Sequence, residues 1–163
     1  MIRSLSLALL IPTILTVSSA VRDPAAVCGG VARAEPLGVR EFRAVLDSVA
    51  AGWNEARAEL AASCFTERAI YVEPPARQLY RGRPDLLRFF AASIHPPRPD
   101  RMRWHAIAFD SVRQVGFGEY TYRGGRNYHG VAVVQLDAGL IRSWREYQYG
   151  SELPWEEFIG ASR

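Results

Sequence analysis

The sequence contains no lysine, and histidine and cysteine are scarce. All twenty basic residues are arginine, beside only three histidines and two cysteines. Seventeen acidic residues reduce the formal net charge to +3. The arginines are scattered among acids and prolines and form no basic stripe with interleaved aromatic residues. The pI of about 9.1 therefore reflects arginine usage, and the sequence argues against nucleic-acid binding.

Motifs for several other chemistries are also missing. The histidines and cysteines lack the spacing of metal ligands, so no metal site is expected. There is no G-x-S-x-G nucleophile elbow. Gly116-Phe117-Gly118 lies inside a predicted strand, without the further glycines and the helix of a nucleotide-binding loop. No cofactor is expected.

The longest apolar run lies at the N-terminus and is too short to span a bilayer, which takes about 20 residues. Residues 5–17 form this run, Arg3 precedes it, and small residues follow it up to Ala20. This is the pattern of a secretory signal peptide over residues 1–20, followed by a flexible tail over residues 21–38. We therefore expect an exported protein, periplasmic or secreted. If translation instead starts near Val39, the protein is cytoplasmic.

The two cysteines are Cys28 in the tail and Cys64 near the end of the first predicted helix. Export would permit a disulfide between them. We favour the simpler interpretation that Cys64 is a small buried apolar residue and Cys28 a mobile thiol.

Hydrophobic periodicity divides the rest of the chain into a helical half and a strand-rich half. Residues 40–63 are predicted to form one long helix that ends near Phe65, and residues 70–73 a short strand stopped by Pro74. The chain then returns through a loop at residues 80–82 into a second helix opening at Pro84. Four strands with short turns follow at residues 102–110, 114–123, 128–137 and 140–149, and residues 153–159 form a final apolar turn.

This order of elements predicts one α+β domain over residues 39–163. Consecutive strands with short turns form an antiparallel meander, and a strongly curved sheet wraps around the long N-terminal helix like a cone. The open end of such a cone leaves a pocket, and pockets of this kind are mostly apolar with a few polar groups inside.

Several segments also carry a resemblance to a known family. They are Trp53-Asn54, FTERAIYVEPP at residues 65–75, Gly82 before a Phe-Phe helix, GVAV at residues 130–133, and GLIRSWREYQ at residues 139–148 followed by LPWEEFIG. In this order they resemble the nuclear transport factor 2-like superfamily and, within it, the SnoaL-like domains. The resemblance covers residues 39–160 and implies the same cone-like fold.

Glu73 ends a predicted strand directly before Pro74 and is the first candidate for catalysis. Residues 53–93 are similar to the ketosteroid isomerases, and this resemblance implies that Glu73 stands where that family carries its general-base carboxylate. From the residues alone, Glu73 has an alternative role as a structural partner of Arg77 or Arg81.

The oxyanion donors of the ketosteroid isomerases do not carry over to this chain. The resemblance places Val49 where that family has a tyrosine and Val131 where it has an acid. Ketosteroid isomerase chemistry itself is therefore not implied.

Glu146 is the second candidate. By strand alternation Trp144, Glu146 and Gln148 share one face, and Trp144 indicates that this face is buried. Burial would raise the pKa of Glu146 and suit it to proton abstraction. The resemblance implies the same role, since SnoaL-like polyketide cyclases carry their acid/base aspartate here. The alternative is a cross-strand pair with Arg113 or Arg123 on a solvated face.

Aromatic and polar residues on the predicted elements are candidates to bind the substrate. One of Trp104 and His105 should face inward, and His129, after a Gly-Gly turn, is more typical of a surface or edge position. The loop residue His95 has no expected role. The substrate-binding candidates are Trp53, Asn54, Tyr71, Phe90, His105, Tyr120, His129 and Trp144.

Together these observations predict a protein with a pocket for a small apolar molecule. One hypothesis is a cofactor-independent acid/base enzyme, of isomerase, cyclase or hydrolase type, in which Glu73 or Glu146 moves the proton. The missing oxyanion donors favour an alternative, a non-catalytic ligand-binding or protein-interaction module of the same fold. We also expect a homodimer through the outer face of the sheet.

Overall fold

The computed structural model describes residue 28 and residues 35–74, 76–94 and 101–161. The predicted signal peptide, most of the predicted tail and the loop with His95 lie outside the described residues. The fold is given by α1 (Val39–Asn54), α2 (Ala58–Ser63), β1 (Phe65–Glu73), β2 (Gln78–Arg81), α3 (Arg83–Ser93), β3 (Arg101–Asp110), β4 (Val115–Arg123), β5 (Tyr128–Asp137), β6 (Leu140–Gly150) and α4 (Trp155–Phe158).

Two helices, α1 and α2, stand where one long helix over residues 40–63 was predicted, so that prediction is wrong. The chain reverses at Ala56, whose φ of 54° lies in the left-handed region, and α2 packs back against α1. The packing is closest at Gly52, where an added Cβ would lie 2.7 Å from the backbone nitrogen of Ala61. Among the described helices, none is both long and apolar enough to cross a membrane.

The six strands form one curved, unclosed sheet in the order β2-β1-β6-β5-β4-β3. The antiparallel meander β3 to β6 is confirmed, with strand ends within about one residue of those predicted from alternation and turns. The predicted α+β fold class is therefore correct.

Three features of the first two strands differ from the prediction. β1 begins at Phe65, where a helix end was expected, and Tyr80 and Arg81 belong to β2 rather than to a loop. β1 also pairs in parallel with β6. A parallel pair joins strands that are far apart in sequence, so local periodicity does not reveal it.

The core lies between α1 and the concave face of the sheet. α1 turns Phe42, Val45, Leu46 and Val49 toward this face, and all four are buried. Trp104 of β3 is anchored to the helix, because its indole Nε1 donates a hydrogen bond of 2.9 Å to the carbonyl oxygen of Leu46. These contacts fix the floor of the cone beneath its open end.

Cys28 and Cys64 form a disulfide, so the prediction of a mobile thiol and a separate buried cysteine is wrong. Both residues are fully buried, and their Cα atoms lie 4.6 Å apart although 36 positions separate them in sequence. Leu37, also in the predicted tail, is buried and exchanges backbone hydrogen bonds of 3.1 and 2.9 Å with the Gln114 side chain. Cys28 and Leu37 of the predicted tail are thus packed on the domain.

The outer face of the sheet is partly covered by α4. Trp155 stacks on His105 with ring centroids 4.0 Å apart, and Phe158 packs on His129 at 4.3 Å. Beyond this cover, the outer face leaves Phe117 and Tyr147 partly exposed. A homodimer through this face stays a prediction.

Candidate active site

The register between β1 and β6 brings the two candidate carboxyl groups together. Tyr71 pairs with Trp144 and Val72 with Arg145, so the next step of the same register places Glu73 beside Glu146 on strands about 4.8 Å apart. Side chains alternate across a strand, so both acids point inward with Tyr71 and Trp144. Glu73 is 6% exposed and Glu146 is 4% exposed.

Four side-chain donors surround the carboxyl group of Glu146. Its Oε1 accepts hydrogen bonds from the Tyr71 hydroxyl at 2.7 Å and from Gln148 Nε2 at 2.6 Å. Its Oε2 accepts from Trp144 Nε1 at 2.9 Å and from the Tyr120 hydroxyl at 3.2 Å. A carboxylate offers about four acceptor sites, so these donors take up most of the hydrogen-bonding capacity of Glu146.

A glycine in the intervening strand permits one of these hydrogen bonds. Tyr120 of β4 reaches Glu146 of β6 by passing over β5, where it pairs with Gly130. A Cβ added at Gly130 would lie 2.7 Å from the Tyr120 ring and 2.8 Å from its hydroxyl oxygen. Only glycine at position 130 leaves space for the Tyr120 side chain to pass over β5.

Glu73 is the acid whose proton affinity the fold changes most clearly. Burial, the charge of Glu146 and a hydrogen bond with Glu146 raise the pKa of Glu73 from 4.5 to about 7, and a hydrogen bond with Tyr71 opposes this in part. Near neutral pH Glu73 is therefore present in both protonation states, as a general acid or base requires. The same site, with burial as the main cause, raises the pKa values of Tyr71 and Tyr120 well above their usual range, so both phenols stay protonated donors.

The structural alternatives for the two acids are wrong. Within the described residues neither acid forms an ion pair. Arg113 pairs with Asp110, and Arg123 donates to the carbonyl oxygens of residues 151 and 153. Glu146 faces Ala132 across the strands and lies on the buried side of the sheet.

A cavity of about 400 Å³ opens beside the two acids. Its walls come from seven helices and strands and from the loop at residues 125–126, and five of the twelve lining residues are aromatic. A narrow inner space of about 20 Å³ continues from it between Tyr120 and Trp144, which is room for about one water molecule. The residues that line the main cavity are Trp53, Tyr71, Glu73, Gln78, Phe89, Ser93, Tyr122, Gly125, Arg126, Tyr128, Glu146 and Gln148.

Five of the predicted substrate-binding residues lie at or next to this cavity. Trp53 and Tyr71 line it directly. Tyr120 and Trp144 border the inner space. Phe90 lies one layer behind, fully buried, with its ring centroid 5.6 Å from Trp53 and 6.1 Å from Tyr71.

Three predicted residues lie elsewhere. Asn54 is a structural link, since its side chain accepts from Met102 N at 2.6 Å and donates to Met102 O at 3.1 Å. His105 and His129 lie on the outer face of the sheet, on either side of Thr121, with which each forms a 2.8 Å hydrogen bond. His129 is 1% exposed on a central strand, so the expectation of a surface or edge histidine is wrong. Its burial comes from α4.

Eight residues that line the main cavity were not among the site candidates from the sequence, namely Gln78, Phe89, Ser93, Tyr122, Gly125, Arg126, Tyr128 and Gln148. Gln78 belongs to the site because it pairs with Glu73 in the β1–β2 hairpin. The strand β2 was not predicted. Tyr128 shares a face with Ala132 and Val134 by alternation, and this signal could have placed it. Arg126 is exposed at the cavity rim.

Apolar side chains occupy the two positions at which the ketosteroid isomerases carry their oxyanion donors. Val49 borders the inner space as an apolar group. Val131 points to the outer face, paired with Tyr147, and its inward neighbour Ala132 is apolar. Tyr120 and Tyr71 instead bring hydroxyl groups into the site. In the part of the chain that is described, no cluster of three metal-ligating side chains is found.

Residues 41–144 match the sequence profile of the SnoaL-like domain. The chain belongs to the SnoaL-like family. The matched region includes Glu73 and ends two positions before Glu146. No curated protein sequence matches this SnoaL-like protein.

Solved structures share the fold of this SnoaL-like protein at low sequence identity. A protein of unknown function with a cystatin-like fold from Methylobium petroleophilum PM1 is 16% identical, with a TM-score of 0.62 over 78% of this chain and 95% of that chain. A nuclear transport factor 2-like protein of unknown function from Burkholderia xenovorans LB400 is 19% identical, with a TM-score of 0.59 over 77% and 98%. An LEH-like epoxide hydrolase from M. tuberculosis is 15% identical, with a TM-score of 0.55 over 68% and 81%. These similarities show the fold.

Proposed function

We propose that this SnoaL-like protein is a cofactor-independent acid–base enzyme in which Glu73 transfers a proton on a small molecule held in the cavity. The observation that carries the proposal is the unequal pair of buried acids. Both acids line the cavity, but Glu146 already accepts hydrogen bonds from four protein donors, whereas Glu73 has a pKa raised to about 7. Glu73 is therefore the carboxyl group with capacity left for a substrate.

A single carboxyl group of this kind suits an isomerisation. The Glu73 carboxylate takes a proton from a carbon atom of the substrate, and the electron pair of the broken C–H bond shifts into the substrate. The protonated Glu73 then returns the proton to another atom of the same molecule. The sum is an isomer of the substrate, with no oxidant, reductant or water consumed.

The rest of the site supports this role in defined ways. Trp53, Phe89 and Tyr122 supply apolar walls that exclude water from the reacting atoms. Glu146 keeps the proton affinity of Glu73 high through its charge and its hydrogen bond. The network around Glu146 fixes that charge, so little reorganisation is needed when the proton moves.

Hydrogen–deuterium exchange tests the proposal without a known substrate. A panel of small carbonyl and imine compounds with acidic C–H groups is incubated in D₂O, and exchange is followed by proton NMR. We expect the wild type to accelerate exchange in at least one compound and Glu73→Gln to lose about a hundredfold or more of that rate. Glu119→Gln, the same change on the outer face of β4, is the matched control and should keep full activity. No acceleration by the wild type, or equal rates in wild type and Glu73→Gln, would contradict the proposal.

One observation favours a second candidate, a non-catalytic ligand-binding module. The donors that could stabilise a developing oxyanion, Tyr71 and Tyr120, are already bonded to Glu146. A binding module would retain its ligand through purification, which native mass spectrometry detects, and would show no exchange chemistry.

Export is also a proposal for this protein. The disulfide between Cys28 and Cys64 supports it, since disulfides form and persist in oxidising compartments. Mass spectrometry of the mature protein should find residues 1–20 removed. A mature protein that still begins at Met1, or that begins at Val39 and lacks Cys28, would contradict export.

A further inference from the structure

The aromatic rings of the cavity form a connected wall around the two acids. Trp53 of α1 meets Phe89 of α3 at 6.3 Å and Tyr122 of β4 at 5.9 Å. Tyr122 stacks on Tyr128 of β5 at 4.8 Å, and Phe89 packs on Tyr71 of β1 at 5.5 Å. Five separate elements thus turn rings toward one space. The faces of such rings carry negative electrostatic potential and attract cations.

Hydrogen-bond donors near the floor of this cavity are already committed. Tyr71, Tyr120, Trp144 and Gln148 all donate to Glu146. Glu73 adds a carboxyl group that can accept hydrogen bonds when it is ionised. Beside the two acids, the floor therefore offers acceptors and negative charge to a ligand, while the four donors to Glu146 are engaged within the protein.

The chemistry of proton transfer also favours a positively charged substrate. If Glu73 removes a proton from a neutral carbonyl compound, an oxyanion forms, and it would lie beside the negative Glu146. If the substrate instead carries a C=N⁺ group, loss of the adjacent proton converts it into a neutral enamine. The C–H electron pair becomes the new C=C bond, the C=N π pair moves to nitrogen, and Glu73 holds the proton. A cationic substrate thus loses its charge in this step and places no oxyanion beside Glu146.

We propose that the ligand of this cavity carries a positively charged nitrogen, held between the aromatic wall that Trp53, Tyr122 and Tyr128 form and the Glu73–Glu146 pair. The proposal names the substrate class of the acid–base site described above and rests on that proposed function. Arg126 is the one cation among the lining residues, and it is exposed at the rim rather than at the floor.

Binding of shape-matched probes to the full-length protein tests this inference. Three probes of similar shape are compared by calorimetry or NMR shift titration. The cation is choline. The neutral probe is the alcohol in which a tert-butyl group replaces the trimethylammonium group of choline, and the anion is the carboxylate 3,3-dimethylbutanoate. We expect choline to bind about tenfold or more tightly than the neutral alcohol, and the anion to bind most weakly. Equal or tighter binding of the neutral alcohol or the anion would overturn the inference, and so would the absence of choline binding up to the high millimolar range.

Two variants locate the cation. Trp53→Leu keeps an apolar wall but removes the ring, so choline affinity should fall about fivefold or more while the neutral alcohol is little affected. In the wild type, choline affinity should rise between about pH 6 and about pH 8, as Glu73 loses its proton. Glu73→Gln should remove this rise. The other titratable groups around Glu73 are Glu146, Tyr71, Tyr80 and Tyr120, and the tyrosines stay protonated in this range because their pKa values are raised.

His105→Gln on the outer face is the control and should leave all affinities unchanged. If Trp53→Leu weakens the charged and neutral probes equally, the ring acts by packing alone and the cation site is wrong.

The binding experiment and the exchange assay test the two proposals separately. Selective choline binding without exchange activity would reject the enzyme proposal and keep the cation site. Exchange activity restricted to neutral compounds, with no cation preference in binding, would keep the enzyme proposal and reject the cation site.

Discussion

Glu73 and Glu146 lie side by side on the parallel strands β1 and β6, one position beyond the register pair formed by Val72 and Arg145. Both acids are buried, yet their surroundings differ. Both line the cavity, but four donors hold Glu146 in place, and the pKa of Glu73 is raised. In the proposed function this difference assigns proton transfer to Glu73, with Glu146 as its hydrogen-bonded neighbour.

The raised pKa of Glu73 predicts how stability depends on pH. Between the unfolded value of about 4.5 and the folded value of about 7, the folded state binds more protons than the unfolded state. The contribution of Glu73 is therefore full below about pH 4.5, and the free energy of unfolding falls as pH rises through about 7, by about 1–3 kcal/mol. Denaturant titrations near pH 5 and pH 8 should show this fall in the wild type and a smaller one in Glu73→Gln. The same pH dependence in both proteins would contradict the assignment.

Glu146→Gln should be more damaging to stability than Glu73→Gln. The new side-chain amide would direct its NH₂ group at donors that now bond a carboxylate oxygen, which costs about 1–3 kcal/mol of stability. The substitution also removes the charge of Glu146, so the pKa of Glu73 should fall, while burial keeps it above 4.5. Carbon-13 NMR of the Glu73 carboxyl group measures the second effect. An unchanged pKa of Glu73 would show that Glu146 does not influence it.

Gly130→Ala tests the crossing of Tyr120 over β5. The new methyl group would overlap the tyrosine ring and its hydroxyl, so Tyr120 should lose its hydrogen bond to Glu146, at a cost of about 1–3 kcal/mol. Gly150→Ala is the matched control, since its nearest neighbour would be a carbonyl oxygen at an ordinary 4.0 Å. Denaturant midpoints compare the two. Equal stability of both variants would mean that Gly130 is not needed for the crossing.

The disulfide between Cys28 and Cys64 should contribute strongly to stability. It closes a loop of 36 positions, for which the loss of unfolded-chain entropy corresponds to roughly 3–4 kcal/mol. Cys28→Ser and wild type with reductant should unfold at similar, lower denaturant concentrations, and reductant should not affect the variant further. If reductant leaves the wild-type midpoint unchanged, the bond does not form in the protein.

The sequence predicted those parts of the fold that depend on local patterns. Alternation and turn residues located β3 to β6, and the alternation of Trp144 with Glu146 correctly turned Glu146 inward. The side-by-side placement of Glu73 and Glu146 depends on a parallel register between strands about seventy residues apart, which no local pattern encodes.

The remaining errors have the same cause. The disulfide joins distant segments, and His129 is buried because the C-terminal segment with α4 returns to the outer face of the sheet. The tertiary contact of α2 with Gly52 breaks a helix that periodicity extends over both segments.

A site-specific titration of Glu73 tests the central claim most directly. Carbon-13 NMR of the side-chain carboxyl groups, with Glu73 assigned from Glu73→Gln, follows its ionisation from about pH 3 to about pH 9. We predict a midpoint near 7, so that Glu73 can act as acid and base under neutral conditions. A midpoint near 4.5 would contradict the claim, because Glu73 would then be an ordinary carboxylate with no proton to return.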